Sequence, residues 1–79
     1  MTITIKLFAQ LRLAAGSGEV KLELPAGTTA AEAARQLSLT HPGVEPKGAM
    51  VAVNAAYADP GTVLNDGDTL ALLPPVAGG

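Results

Sequence analysis

One segment with helical periodicity stands between two groups of segments with strand periodicity, and this order limits the chain to few folds. Residues 2–8 and 19–24 alternate apolar and polar side chains, which predicts two strands before the helix. Residues 49–54 and 69–73 predict two strands after it, and a short segment at Tyr57 is a candidate for a third. The order predicts an α+β fold in which one main helix covers one face of a mixed β-sheet.

The main helix has recognisable ends. Thr29 and Glu32 have the spacing of a capping box, in which each side chain accepts a hydrogen bond from the backbone N–H of the other residue. Apolar residues recur at the spacing of one helix face, namely Ala30, Ala33, Ala34 and Leu37. The helix is predicted to end at His41, because a residue before proline disfavours helical backbone angles. Two strands, one such helix and two or three further strands form the element order of the β-grasp fold.

The chain has 79 residues and no cysteine, so its stability depends on packing. This length allows a single domain, 1–79, and a domain of this size is marginally stable unless its core is dense. The composition excludes disulfides, cysteine-ligated zinc and a cysteine nucleophile. A hydrophobic content of 48% can supply the packed core instead.

Charge and hydropathy exclude further classes of function. The net charge is −2 and the five Lys and Arg residues are scattered, so we do not expect a basic face for nucleic acid. No apolar run reaches the roughly 18 residues of a membrane span, and the first residues lack the pattern of a signal peptide. We therefore expect a cytoplasmic protein that binds neither nucleic acid nor membrane.

The loops contain no recognisable catalytic or metal-binding motif. Gly16-Ser17-Gly18 ends a short helical segment at residues 9–15 and lacks the remaining residues of a phosphate-binding loop. Residues 65–68, Asn-Asp-Gly-Asp, lack the glutamate of a calcium loop and are predicted to form a tight turn. His41 is predicted to be a surface residue at a helix end. We expect no catalytic triad and no metal site.

The C-terminal segment is the main candidate for a functional feature. Pro74-Pro75 favours an extended exit after the last strand, so residues 74–79 are predicted to project as a flexible tail. Gly78 and Gly79 have no side chains, so they can enter a narrow channel, and the terminal acyl carbon is open to a nucleophile. The alternative is an ordinary disordered end, since small residues are common at chain termini.

Several apolar residues fall out of phase with their strands. If the alternating residues of the first strand face the core, Phe8 does not, and Leu73 and Met50 are displaced in the same way. Phe8 and Tyr57 are the only aromatic residues, and aromatic side chains are favoured interface anchors. These side chains either cover a sheet edge or form an exposed patch for a partner. The second interpretation assigns Phe8 and Leu73 to partner binding.

Four segments of the chain together resemble the sequence pattern of a known protein family. They are Leu7-Phe8-Ala9-Gln10-Leu11-Arg12, Val51-Ala52-Val53-Asn54, Leu64-Asn65-Asp66-Gly67-Asp68 and Leu73-Pro74-Pro75-Val76-Ala77-Gly78-Gly79. Together they resemble the small-subunit family of molybdopterin synthase (MoaD), and the resemblance runs the length of the chain. The Pro-Pro-Val-Ala-Gly-Gly ending after an Asp-Gly-Asp turn is its most specific part. Leu13 departs from the pattern, since the family often has Glu after the arginine.

The resemblance implies a ubiquitin-like β-grasp fold and a sulfur carrier that has no catalytic site and no bound cofactor of its own. An E1-like (MoeB-like) enzyme would use ATP to adenylate the Gly79 carboxylate, and sulfur would replace AMP to give a thiocarboxylate. The tail would then enter a MoaE-like large subunit of molybdopterin synthase and supply sulfur to cyclic pyranopterin monophosphate. The resemblance assigns Gly78 and Gly79 to the reacting end and implies partner binding by the tail residues Pro74, Pro75, Val76 and Ala77. It also implies partner binding by Tyr57, because the family usually has a large apolar residue at this position.

Two other interpretations remain open. The nearer is a sister carrier for thiamine thiazole synthesis or tRNA thiolation, which shares the fold, the tail and the activation step. Relatives of that kind usually lack the Pro-Pro pair before the terminal segment. The remoter interpretation is a plain interaction module, such as an assembly partner, whose tail is incidental.

Overall fold

The computed structural model describes residues 1–46 and 48–74, which form five strands and two helices. The strands are β1 (Thr2–Leu7), β2 (Glu19–Glu23), β3 (Met50–Val53), β4 (Ala56–Ala58) and β5 (Thr69–Leu73). The helices are α1 (Ala9–Ala15) and α2 (Ala30–Thr40). The predicted α+β fold is confirmed, with α2 as the main helix and α1 as a short second one.

The strands form one mixed sheet in the order β2-β1-β5-β3-β4. β1 and β5 are parallel neighbours, whereas the other pairs are antiparallel. The last strand therefore lies in the middle of the sheet, between the first strand and the third. This order is the β-grasp arrangement, in which the first and last strands are neighbours.

The start of α2 is fixed by the predicted capping box. Thr29 Oγ1 accepts a hydrogen bond from the Glu32 N–H at 3.2 Å, and the Glu32 carboxylate accepts one from the Thr29 N–H at 3.2 Å. The predicted apolar positions of this helix are all buried, namely Ala30, Ala33, Ala34 and Leu37. Because three of the four are alanines, α2 can lie close against the sheet.

The core lies between α2 and the inner face of the sheet. Its largest fully buried side chains are Ile3, Ile5, Leu7, Leu37, Leu64, Leu70 and Leu72. Val44 is also buried, and like Leu64 it comes from a loop rather than from a helix or strand. The Leu64 N–H donates to the Thr28 carbonyl oxygen at 2.9 Å, which ties the loop before β5 to the start of α2.

The turn between β3 and β4 contains two residues with left-handed backbone angles. Asn54 has a φ of 51° and Ala55 a φ of 69°. Two consecutive residues with positive φ are typical of a type I′ hairpin turn, for which Asn-Gly is the favoured sequence. Asparagine tolerates this region, whereas the Cβ of alanine is crowded there.

Ala55→Gly should therefore raise the free energy of unfolding by about 0.5–1 kcal/mol, because relief of the crowded Cβ exceeds the entropy that glycine adds to the unfolded chain. Urea denaturation measures the change. Ala14→Gly is the matched control, since Ala14 is exposed within α1 and glycine there should lower stability by about 1 kcal/mol. A loss of stability in Ala55→Gly would contradict a strained turn.

Candidate partner-binding surface

The chain leaves the sheet from one end of its central strand. β5 pairs with β1 on one side and with β3 on the other, as far as Leu73, whose register partner on β3 is Met50. Pro74 follows and is half-buried, and without an N–H it cannot donate to the sheet. The remaining tail residues of the predicted site lie outside the described residues, namely Pro75, Val76, Ala77, Gly78 and Gly79.

The out-of-phase residues lie on the face of the sheet opposite α2. Leu72 is buried on the inner face, so its neighbour Leu73 and the cross-strand partner Met50 point to the outer face. We define the outer-face patch as Phe8, Met50, Tyr57 and Leu73. Phe8 is 43% exposed, Met50 48% and Tyr57 75%, and Leu73 is half-buried. The binding of a partner by this patch stays a prediction.

A shallow depression lies beside Phe8 on the same face. Its volume is about 390 Å³, and it is lined by Lys6, Phe8, Asn54, Ala55, Thr69 and Ala71. Ala71 lies in register between Lys6 on β1 and Ala52 on β3, so two small side chains lower the surface next to the aromatic ring. Such a concavity can accept an apolar side chain of a partner. Sequence periodicity alone does not distinguish Ala52 and Ala71 as part of a site, although they occupy outward positions of adjacent strands.

A hydrogen-bond network fixes the edge of this depression. Asn54 Nδ2 donates to Asp68 Oδ1 at 2.9 Å, and Asn54 Oδ1 accepts from the Thr69 N–H at 2.9 Å. Asp68 Oδ2 accepts from the Asn65 N–H at 2.8 Å. The bond from Asn65, followed by that from Asn54, holds the pKa of Asp68 below its usual value. The predicted tight turn at 65–68 therefore anchors the β3–β4 turn to the start of β5.

Neither a metal-holding cluster nor a membrane-crossing helix is found in the described part of the chain. In residues 1–46 and 48–74, no group of three or more His, Asp or Glu side chains is placed to hold a metal ion. His41 lies at the end of α2, where its Nδ1 is 2.9 Å from Thr40 Oγ1. Within the same part of the chain, no helix combines the length and apolarity that crossing a membrane requires.

A family model described as the ThiS family matches residues 5–79. The chain belongs to the ThiS/MoaD family of ubiquitin-like sulfur carriers. It is similar to the molybdopterin synthase sulfur carrier subunit of Chlamydomonas reinhardtii, with 34% identity over 83 residues and 100% of both chains covered. The protein of the same name from Arabidopsis thaliana is 32% identical over 79 residues, which cover 98% of this chain and 82% of that protein.

Solved structures of other proteins have the same fold. SAMP1 from Haloferax volcanii matches with a TM-score of 0.88 and 32% identity, covering 100% of both chains. A chain of the Amycolatopsis orientalis BexX/CysO complex matches with a TM-score of 0.69 and 28% identity, covering 98% of this chain and 99% of that one. The predicted ubiquitin-like β-grasp fold is thereby confirmed, and one chain of this fold occurs in a protein complex.

Proposed function

We propose that this chain is the sulfur carrier subunit of a molybdopterin synthase. The observation that carries the proposal is that two curated relatives with this name align over nearly the whole chain, at 32% and 34% identity. The Pro-Pro-Val-Ala-Gly-Gly ending supports it, because it follows the central strand β5 in sequence and its last two residues have no side chains to hinder attack on the terminal acyl carbon.

The proposed cycle uses two partners. In an E1-like, MoeB-like enzyme, a Gly79 carboxylate oxygen attacks the α-phosphate of ATP, which forms an acyl adenylate and releases pyrophosphate. A carboxylate is a poor acyl donor, and this step supplies AMP as a good leaving group. A sulfur nucleophile replaces AMP, and a MoaE-like large subunit uses the thiocarboxylate on cyclic pyranopterin monophosphate. Two such transfers build the dithiolene, and the carrier contributes its tail and its docking surface.

Formation of molybdopterin tests the proposed acceptor. The chain is first thiolated by its activating enzyme, and is then mixed with the cognate large subunit and cyclic pyranopterin monophosphate. Molybdopterin, detected by mass spectrometry, is the expected product. The same chain without thiolation is the matched control and should give none. A fully thiolated chain that gives no molybdopterin would contradict cyclic pyranopterin monophosphate as the sulfur acceptor. It would not contradict the role of the chain as a sulfur carrier.

A second candidate is a sister carrier for thiamine thiazole synthesis or tRNA thiolation. It is favoured by the ThiS-family match over residues 5–79, and the likeness to SAMP1 at a TM-score of 0.88 is compatible with it. The activation step is shared, so only the acceptor distinguishes the two candidates. Sulfur transfer from the thiolated chain to a thiazole synthase or a tRNA-thiolating enzyme, without transfer to the pterin, would favour this second function.

Phe8→Asp should weaken binding to both the activating enzyme and the large subunit by about 10-fold or more, the effect expected of an interface anchor. The ring is 43% exposed in the free chain and would be covered in the complex, where an unpaired carboxylate is costly. Titration calorimetry against each partner measures the loss. The melting temperature should change little, because the side chain is already exposed to water.

Val63→Asp is the matched control for this substitution. Val63 is 54% exposed and pairs with Thr29 at the start of α2, which places it outside the outer-face patch. It should bind both partners as the wild type does. If Phe8→Asp also bound both with undiminished affinity, Phe8 would be only a cover for the sheet edge.

A further inference from the structure

A second depression lies on the other side of Phe8, and its charge is opposite in sign to that of the whole molecule. Its volume is about 420 Å³, and it is lined by Lys6, Leu7, Phe8, Arg12, Ser17, Gly18 and Glu19. Two cations against one carboxylate leave it with a net charge of +1, whereas the whole chain has a net charge of −2. The first depression is also positive, because Lys6 is the only charged residue that lines it, so Phe8 lies between two depressions with a net charge of +1 each.

Arg12 is packed against the backbone that leads into β2. A Cβ at Gly18 would lie 3.2 Å from Arg12 Cζ and 3.3 Å from Arg12 Nε, so the guanidinium occupies the space that a larger residue would need. Gly18 itself is fixed, because its carbonyl oxygen accepts a hydrogen bond from the Leu7 N–H at 2.9 Å. The charged group of Arg12 thus lies beside Gly18, in the depression that Phe8 also lines.

Lys6 contributes to both depressions. It is exposed on the outer face of β1, where its register partners are Ala71 on β5 and Glu19 on β2. Lys6 and Arg12, which flank Phe8 in the sequence, both line the second depression together with the exposed ring, so the fold brings two cations close to it. The apolar patch and the basic depression form one continuous surface.

We propose that Lys6 and Arg12 select a protein partner whose contact surface carries carboxylates beside an apolar side chain. The apolar side chain packs against Phe8 in the depression over Ala71, and the carboxylates pair with the two cations. A guanidinium matches a carboxylate through two parallel hydrogen bonds, and an ammonium group adds a point charge. The inference rests on the proposed function, since the partners concerned are the activating enzyme and the synthase large subunit.

Complementary charge suits the work of a carrier. Charges at the edge of an interface mainly speed the encounter and reject wrong partners, and they add less to the lifetime of the complex. A carrier must find each partner quickly and then leave it for the next. A small apolar patch with a charged border meets both needs, because the apolar contact stays limited in area.

Charge reversal of either cation tests the proposal. Arg12→Glu and Lys6→Glu should each lower the association rate constant and the affinity for both partners by about 10-fold at low ionic strength. Added salt should weaken wild-type binding, and the slope of log Kd against log salt should be smaller for Arg12→Glu. Arg12→Lys should keep most of the association rate, because the charge remains. Stopped-flow fluorescence and calorimetry supply the rates and affinities.

Arg35→Glu makes the same charge change at an exposed position of α2, on the opposite face of the sheet, and should alter binding less than about 2-fold. Wild-type binding by both Arg12→Glu and Lys6→Glu would overturn the inference and leave the proposed function standing. Equal losses in Arg12→Glu and Arg35→Glu would also overturn it, because net charge alone would then govern the encounter. A wild-type chain that the activating enzyme neither binds nor thiolates would refute the proposed function, and the inference with it.

Discussion

Removal of Gly79 should abolish thiolation by the activating enzyme and leave the fold unchanged. The truncated chain still ends in a glycine carboxylate, but one residue of extended chain spans about 3.5 Å, so the shortened tail should fall short of the reaction position by about that distance. A misplacement of about 1 Å can cost roughly 100-fold in rate, so the loss should reach at least that factor. Circular dichroism and the melting temperature should match the wild type, because β5 ends at Leu73 and the buried core precedes that residue.

Gly78→Val tests the same tail without shortening it. If the proposed function is right, a β-branched side chain next to the reacting end should block entry of the tail into the partner's narrow channel. Gly61→Val is the matched control, since a Cβ at Gly61 would have no heavy atom within 4 Å, and both folding and thiolation should survive. Normal thiolation of the chain that lacks Gly79 would contradict the assignment of the reacting carboxylate.

Leu37→Ala should lower the free energy of unfolding by about 2–5 kcal/mol, through lost burial and the cavity that remains. Leu37 is fully buried, and the other buried residues of α2 are alanines, so no neighbouring side chain on the helix can fill the space. A domain of fewer than 80 residues draws roughly 3–5 kcal/mol from its core, so the variant should be close to its unfolding midpoint without denaturant. Urea denaturation followed by circular dichroism measures the difference.

Leu39→Ala makes the identical change two residues further along α2, where the side chain is 65% exposed. It should alter the free energy of unfolding by less than about 0.5 kcal/mol. The contrast between the two variants isolates burial from helix propensity, because both replace leucine by alanine in one helix. Equal losses would show that α2 does not pack through Leu37.

Local chemistry explains why much of the fold could be predicted from the sequence. The capping box at Thr29 depends on atoms within three residues, and β5 occupies the predicted range of 69–73 because alternation and turn residues define both its ends. The outward position of Phe8 could be predicted from the alternation of inward and outward side chains along the first strand. Features of this kind require no knowledge of which strand lies beside which.

Features that depend on strand order could not be predicted in the same way. Leu64 is buried because the Thr28 carbonyl oxygen holds its loop against the start of α2, and no periodic pattern surrounds it. Ala71 has no distinguishing feature in the sequence, and its place in the depression follows only from the position of β5 between β1 and β3. Lys6 and Arg12 belong to a set of cations that is scattered in the sequence, and the fold brings these two to the same depression.

The mass of the intact chain, after incubation with its E1-like enzyme, ATP and a sulfide source, tests the sulfur-carrier role most directly. Replacement of one oxygen by sulfur at the Gly79 carboxylate should add about 16 Da, and only when ATP is present. Oxidation of Met1 or Met50 adds nearly the same mass, so fragmentation must locate the gain. A sulfur carrier should show an ATP-dependent gain confined to fragments that contain Gly79. An unchanged mass, or a gain that persists without ATP, would contradict this role.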